Sequence, residues 1–470
     1  MAITTPEQDK STALEVLRER FPVYRRFREY YYGKHELLFT SRQFEAEFRR
    51  LFQKLSDNLC ALVVDTMADR MSIIRFHTPD EEDEEKLLQD RDVQQVRRIW
   101  TRNRMDRRSD EVHKEGLLAG DSYVIVWPSR DDLRQASIYP QSSEWIVPEY
   151  DSETPGQFRW AAKIWCIRVR RGKSSTYVYR MNLYYPDEIR KYVTAATESA
   201  QFPDNGGAFK PFQVDGEPDS VIVNPYGIVP VFHFANNSSV GAVGVSELEV
   251  VLPLQNALNK ALADMLVAME FASLPARWAT GIQIEVDEEG NEKAPFKTGQ
   301  ERFYHAASEA AKFGEFSAAD LPQFLSVHES FRIEIARVSG TPLHYMLLAN
   351  DPPSGEALKT LESRFEKKIR NRQEAFGETW EEVLQFAGRI ETGRTDFPRV
   401  VPAWSDPAPV TEKSRMETLE IKKRIGVSQK QLLREMGYSE TQAERIFEES
   451  LEESRSLGEA ALASFDRGNV

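Results

Sequence analysis

The sequence predicts an α+β protein, and three observations carry that prediction. Apolar residues recur at helical spacing over 7–32, 42–70, 84–103 and 106–119. From about 121 to 235 the period drops to two, with Gly, Pro, Asn and Asp between the runs. Beyond that, two one-sided helical segments, 246–273 and 321–338, bracket a short strand-bearing insertion.

In the N-terminal part, Leu14, Leu17 and Phe21 set the first helical stripe, and Pro22 is expected to interrupt it. The stretch from Tyr24 to Tyr32 is basic and aromatic. It offers either nucleobase stacking or, because Phe27, Tyr30 and Tyr31 lie at helical spacing, packing of an amphipathic helix. Phe44, Phe48, Leu51, Phe52, Leu55, Leu59, Leu62 and Val63 form the stripe of the second helix. The acidic run 80–85 reads as an exposed loop or helix start.

Strands are expected at 122–128, 136–139, 145–148, 161–170, 175–182, 188–194 and 229–234. Ser246 and Glu249 then form a capping-box pattern ahead of Leu248, Val251, Leu252, Leu258, Leu262, Met265, Leu266 and Met269. On that reading Pro253 falls two turns into the helix and kinks it. Between 275 and 320, residues 282–286 suit a strand and 287–291 a hairpin turn. The second one-sided helix carries Leu321, Phe324, Leu325, Phe331, Ile335 and Val338.

A loop rich in glycine and proline spans 339–354. It is long for a helix–helix connection, which favours a function. Thr341, Leu343, His344, Tyr345, Met346 and Leu347 are its candidate functional side chains, and its apolar members read as exposed. The alternative is that they pin the loop onto neighbouring helices. The longest helix follows at 355–390, then a strand near 398–404 and a proline-bearing linker. Short helices are expected to start at Ser428 and Ser439, separated at Gly437.

Composition narrows the chemistry. At 470 residues the chain is long enough for roughly two to four domains. It is 41% hydrophobic and 29% charged, as an ordinary globular protein is. The most apolar segment, 252–271, carries Lys260, Asp264 and Glu270, so no membrane span is expected. The N-terminus lacks a signal-peptide pattern, and Cys60 and Cys166 are expected to be buried free thiols of a protein made in a reducing cytoplasm.

No phosphate-binding GxxxxGK[ST] loop and no HExxH pair occurs, and carboxylate pairs such as Glu81/Glu82 and Glu381/Glu382 read as solvated faces. His328–Glu329 reads as surface or interface rather than a metal site. No catalytic residue, cofactor or metal is therefore expected.

Three stretches taken together resemble the portal proteins of tailed siphophages, of the kind found in actinobacterial phages. The first is Tyr30-Tyr31-Tyr32-Gly33-Lys34-His35, followed by the run Leu59 to Thr66 and by Arg70-Met71. The second is Gly244-x-Ser246-Glu247-Leu248, with Pro253-Leu254, Asn259, Asp264 and Leu274-Pro275. The third is Ser354-Gly355-Glu356-Ala357-Leu358, with Arg372-Gln373 and Phe376-Gly377. Their order over residues 20–405 carries the match.

The resemblance implies a portal fold: a wing over 1–245, stem helices at 246–274 and 321–338, and a clip at 275–320. It further implies a tunnel loop at 339–354, a long wing helix and closing strand at 355–405, and a helical crown over 406–470. Leu258, Leu262, Leu266, Phe324, Phe331 and Ile335 would be the stem-packing residues, with Asn259 and Lys260 facing the channel or the outside.

Such proteins form rings of twelve at one capsid vertex, through which double-stranded DNA is packaged and ejected. Their partners are the terminase large subunit, the head–tail adaptor, and the major capsid and scaffold proteins. The net charge of −14 disfavours a tight nucleic-acid binder, yet suits a passage that must not trap DNA. Rival expectations are another phage structural role, such as a minor head protein, and a cytoplasmic carboxylate-based hydrolase.

Overall fold

The computed structural model describes residues 5–36, 56–79, 90–171, 174–214, 219–239, 243–273, 277–281, 311–315, 321–347, 355–408, 412–429, 432–433, 445–447 and 450. Two compact units divide at Pro407 and Ala408.

Helix α1 (Pro6–Tyr31) opens on a reciprocal cap in which Thr5 and Gln8 satisfy each other's backbone N–H. It runs straight through Pro22, contrary to expectation. Pro22 lies on the exposed face, where water can take the carbonyl that its missing N–H leaves free. Helix α2 (Leu59–Ala68) is the described part of the segment expected at 42–70. Residues 56–58 are not helical, so the expected helix is not continuous, and 42–55 lie outside the described residues.

Strand β1 (Ile73–His77) leads to α3 (Arg91–Arg102) and α4 (Met105–Ala119). Asp90 caps α3 by accepting from the N–H groups of Asp92 and Val93, which sets its start at 91 rather than 84. The acidic run 80–85 lies outside the described residues.

The strand region follows as β2 (Asp121–Pro128), β3 (Ala136–Gln141), β4 (Ile146–Tyr150), β5 (Phe158–Arg171), β6 (Ser174–Tyr184) and β7 (Glu188–Val193). Three short strands complete it: β8 (Lys210–Pro211), β9 (Val221–Val223) and β10 (Val231–Ala235). Strands β10, β2 and β3 form one sheet in that order. A second, six-stranded sheet runs β4-β5-β6-β7-β8, with β9 also on β7.

Alternation along β2 explains how these layers stack. Val124 and Val126 point into the main core with α2, α3 and α4, whereas Tyr123 and Ile125 point toward the six-stranded sheet. The far face of that sheet packs on Ala13, Leu14 and Leu17 of α1.

Helix α5 (Leu252–Ser273), strands β11 (Arg277–Thr280) and β12 (Lys312–Glu315), and helix α6 (Leu321–Ser339) come next. The two helices pack side by side, and β11 pairs antiparallel with β12. The expected strand 282–286 and its turn lie outside the described residues.

Helix α5 starts at Leu252, six residues after the capping-box serine. Ser246 is occupied otherwise: its hydroxyl donates to the Leu118 carbonyl at 2.6 Å and accepts from the Leu248 N–H at 3.0 Å. Pro253 consequently sits in the first turn, where its missing donor costs nothing.

Helix α7 (Gly355–Thr392) crosses the core with Phe365, Ile369, Phe376, Trp380, Val383 and Leu384 buried. Strand β13 (Val401–Trp404) returns to pair with β1. Behind α7, Trp380 Nε1 donates to His113 Nε2 at 2.8 Å, and full burial drives the His113 pKa down to about 3. Cys60 is buried as expected, whereas Cys166, midway along β5, is exposed.

The second unit contains α8 (Glu412–Arg424). Most of its remainder, including the helix expected at Ser439 and the break at Gly437, lies outside the described residues.

Candidate functional site

The residues singled out by sequence converge where the α5–α6 pair meets the body of the first unit. Three buried side chains on one face of α5 make the attachment. Gln255 accepts from the Leu59 N–H at 3.0 Å and donates to the Asp57 carbonyl at 2.6 Å. Asn256 accepts from the Tyr30 hydroxyl at 2.8 Å. Asn259 accepts from the Asp57 N–H at 3.0 Å and meets His35 Nδ1 at 2.7 Å.

Asn259 is therefore buried in the attachment rather than turned outward, a correction to the expectation. Its physical reason is that α2 begins without a side-chain cap, leaving N–H groups near 57–59 that α5 satisfies. Lys260 is half-buried and pairs with Asp264 one turn on.

On the α6 side, Arg332 binds Asp57 Oδ2 at 2.6 Å and the Met346 carbonyl at 3.1 Å. It thereby ties α6, the segment before α2 and the loop after α6 together. Lys368 of α7 reaches the Ser339 carbonyl at 2.7 Å and Glu247 at 2.5 Å. Arg372 adds a second cation to Glu247 at 3.1 Å. Burial alone would raise the Glu247 pKa, but these two cations outweigh it and hold the carboxyl below its ordinary range.

The loop after α6 includes a single 3₁₀ turn, Leu343–Tyr345. It is fastened by Glu362 of α7, which is 1% exposed. Glu362 accepts from Arg70 at 3.1 Å and from the Tyr345 hydroxyl at 3.2 Å, and His344 Nε2 lies 3.0 Å away. Arg70 also binds Tyr345 and the Pro407 carbonyl, and lies over the Phe365 ring. A carboxylate this buried is tolerable only with such a full set of donors.

This placement corrects the picture of an exposed loop. Thr341 is buried beside Ser339, and Met346 is 4% exposed within the main core. His344, Tyr345 and Leu347 are half-buried; of the six candidates only Leu343 is exposed, at 42%. Residues 348–354 lie outside the described residues.

The helix-packing candidates divide by position. Leu258 and Ile335, near the attachment, are fully buried. Leu262, Leu266, Phe324 and Phe331 are half-buried. Toward the far end the apolar residues reach water: Met269 is 47% exposed, Leu325 59% and Val327 46%.

Sequence reading missed Arg70, Glu247, Gln255 and Glu362 as fasteners. Nothing within a turn of Glu362 foretells its partners, because Arg70, His344 and Tyr345 come from other elements. A usable signal existed for α5: Gln255, Asn256 and Asn259 interrupt an apolar stripe with amides at one-turn spacing.

Among the described residues no cluster of three His, Cys, Asp or Glu side chains is arranged to hold a metal, and no helix is long and apolar enough to cross a membrane. The Tyr24–Tyr32 stretch is packed, with Tyr24, Phe27 and Tyr30 buried and Arg28 paired to Glu115 and Glu144.

Residues 13–456 match the family described as phage portal protein, SPP1 Gp6-like. The portal protein of Mycobacterium phage L5 is 26% identical over 404 residues, covering 82% of this chain and 76% of that protein. The portal protein of Mycobacterium phage D29 matches with the same identity and coverage. A family match across nearly the whole length, on a mixed helix-and-sheet body that carries the paired helices, establishes that this chain belongs to the phage portal proteins of the SPP1 Gp6-like family.

Proposed function

We propose that the chain assembles into a closed ring of twelve subunits at one vertex of the capsid. The ring serves as the passage for double-stranded DNA during packaging and ejection. In this reading α5 and α6 are the stem, the segment between them is the clip, and 339–354 is the tunnel loop. The body up to 245, completed by α7 and β13, is the wing, and residues 406–470 are the crown. The clip receives the terminase large subunit and later the head–tail adaptor, while the outer surface meets the major capsid and scaffold proteins.

One observation carries the reading. The far half of the α5–α6 pair presents Met269, Leu325 and Val327 about half to water, while its base is fastened by buried polar groups. An apolar stripe on a held helix pair needs a neighbour, and contact between unlike faces of successive copies closes into a ring. Within the loop, Leu343 is the described side chain free to touch passing DNA, and Met346 and Thr341 hold the loop's shape.

The test is native mass measurement with negative-stain microscopy of the full chain. Wild-type protein should give closed rings with a central hole, at a multiple of 54.0 kDa. Leu325→Asp should shift the population to monomers of unchanged fold. Wild-type protein that stays monomeric at micromolar concentration, or rings indifferent to Leu325→Asp, would exclude the assignment.

A further inference from the structure

The β5–β6 hairpin outgrows the sheet that carries it. Strand β4 pairs with β5 only as far as Lys163, and β7 pairs with β6 only from Arg180 onward. A bridge between Tyr177 and Thr197 carries the contact a little further. Strands β5 and β6 nonetheless stay paired out to Arg171 and Ser174. The part nearest the turn is therefore a two-stranded ribbon, on which Cys166, Arg168, Val169 and Arg170 are exposed.

Charge along this hairpin runs against the rest of the chain. The sequence carries a net charge of −14, yet residues 154–186 hold seven cations and no carboxylate. Four of the seven, Arg168, Arg170, Arg171 and Lys173, fall within six positions around the turn. The nearest acidic residues in the flanking connections, Asp151, Glu153, Asp187 and Glu188, belong to the opposite end of the sheet, where β4 passes into β5 and β6 into β7. Among the described residues Arg168 and Arg170 form no ion pair, and Glu198, beside the bridge residue Thr197, pairs with neither.

Strand pairing sorts the ribbon's side chains, because residues directly opposite one another share a face. Cys166 stands opposite Tyr179, Arg168 opposite Tyr177, and Arg170 opposite Ser175. The other face takes Ile167 with Val178 and Val169 with Thr176. Guanidinium and hydroxyl groups thus collect on one side and aliphatic side chains on the other. On the polar side Arg168 Nε donates to Ser175 Oγ at 3.1 Å, and the guanidinium carbon lies 6.0 Å from the Tyr177 ring centroid. Both contacts are with neutral groups, so neither cancels the charge.

Arginine forks and hydroxyl donors set along an extended ribbon suit the phosphates of a nucleic-acid backbone. We propose that this polar face of the β5–β6 ribbon binds the phosphate backbone of double-stranded DNA without regard to sequence. The acidic remainder of the chain keeps the contact weak and dependent on salt. An acidic, amphipathic protein segment fits less well, because the face has no aliphatic side chain to meet its apolar residues. The inference stands apart from the ring assignment: the ribbon belongs to the sheet, whereas that reading gives the passage to the helix pair and the loop at 339–354.

Cys166 supplies a reporter on the same face. It is exposed while Cys60 is buried, so thiol-directed alkylation of the folded chain reads position 166.

The experiment uses the full chain in its wild-type and Leu325→Asp forms, so that the bore of a ring is absent from one of them. A labelled DNA duplex of arbitrary sequence is titrated at several salt concentrations, and alkylation of Cys166 is followed by mass spectrometry. The duplex should bind both forms and slow alkylation of Cys166 in each. Arg168→Gln/Arg170→Gln should weaken binding by about tenfold or more, lower the logarithmic salt slope by about two, and abolish the protection.

Equal duplex binding by wild type and the double variant would overturn the proposal. So would protection of Cys166 by polyglutamate and not by the duplex, which would assign the face to an acidic protein. Duplex binding confined to the wild-type form, and lost in Leu325→Asp, would place the contact in the bore instead. Protection that appears on assembly without DNA would overturn it too, because a sister copy would then cover the ribbon. Normal secondary structure by circular dichroism in the double variant separates loss of binding from loss of fold.

Discussion

At its base the α5–α6 pair is held by Gln255, Asn256 and Asn259, all buried and all bonded, whereas its far half leaves Met269, Leu325 and Val327 about half in water. The same two helices thus use opposite means at their two ends. Buried amides demand partners at fixed positions, and a single chain can supply them. An exposed apolar stripe demands only area, and a second copy can supply that. In its polar pairing the base is a finished structure, although Ile333 and Val338 stay 41% and 36% exposed there, and the far half is an unfinished one.

The strongest way to break the finished end is Glu362→Ala. It strips Arg70 and Tyr345 of their shared acceptor and leaves a guanidinium part-buried without its carboxylate. Denaturant unfolding should show a loss of about 3–5 kcal/mol, and amide exchange over 340–347 should accelerate. A loss below about 1 kcal/mol would mean that the loop is held by other contacts.

Gln255→Ala should cost less, about 1–3 kcal/mol, by orphaning the Leu59 N–H and the Asp57 carbonyl. The same substitution at exposed Leu325 serves as the contrast in that series.

Acid tests the finished end from a different side. His113 has a folded pKa near 3 against an ordinary 6.5, so the unfolded chain binds the extra proton between those values. Its contribution is complete above pH 6.5 and is lost as pH falls toward 3, by at most about 1.4 kcal/mol per pH unit. Urea midpoints measured from pH 7 to pH 5 should fall in wild type, and less steeply in His113→Phe. Parallel curves would assign the acid sensitivity elsewhere.

The smallest stability effect belongs to the unfinished end. Leu325→Asp should change monomer unfolding by no more than about 0.5 kcal/mol while removing the proposed ring from native mass spectra. A large stability loss would show that Leu325 is packed within its own chain.

Sequence patterning made the local part of this fold readable and left the long-range part hidden. The strands from 121 to 193 were visible because alternation and turn residues are properties of neighbouring positions. The helix ends were harder. Pro22 was read as an interruption and Pro253 as a kink, yet one lies on a wet face and the other in a first turn. Nothing local distinguishes those settings from a disrupted core helix.

The fasteners were invisible for a further reason. Arg70 and Glu362 stand 292 positions apart, and Asp57 and Arg332 stand 275 apart. Each reads as an ordinary surface charge until the chain brings it to its partner. The loop was misjudged in the same way: Met346 looked like an exposed tip because its pocket is built by distant residues.

The crossing of Gly120 and Gly244 has a mechanical consequence. A Cβ on Gly244 would fall 1.9 Å from the Gly120 carbonyl oxygen, and Gly120 itself holds φ at +91°. The Asn236 N–H closes on that same oxygen at 2.8 Å. With no side chain to yield, the strand leaving β10 is clamped where it departs for α5. The close crossing thus fixes the path by which the chain enters α5. A side chain at either glycine would force the two backbones apart and shift the point from which α5 departs.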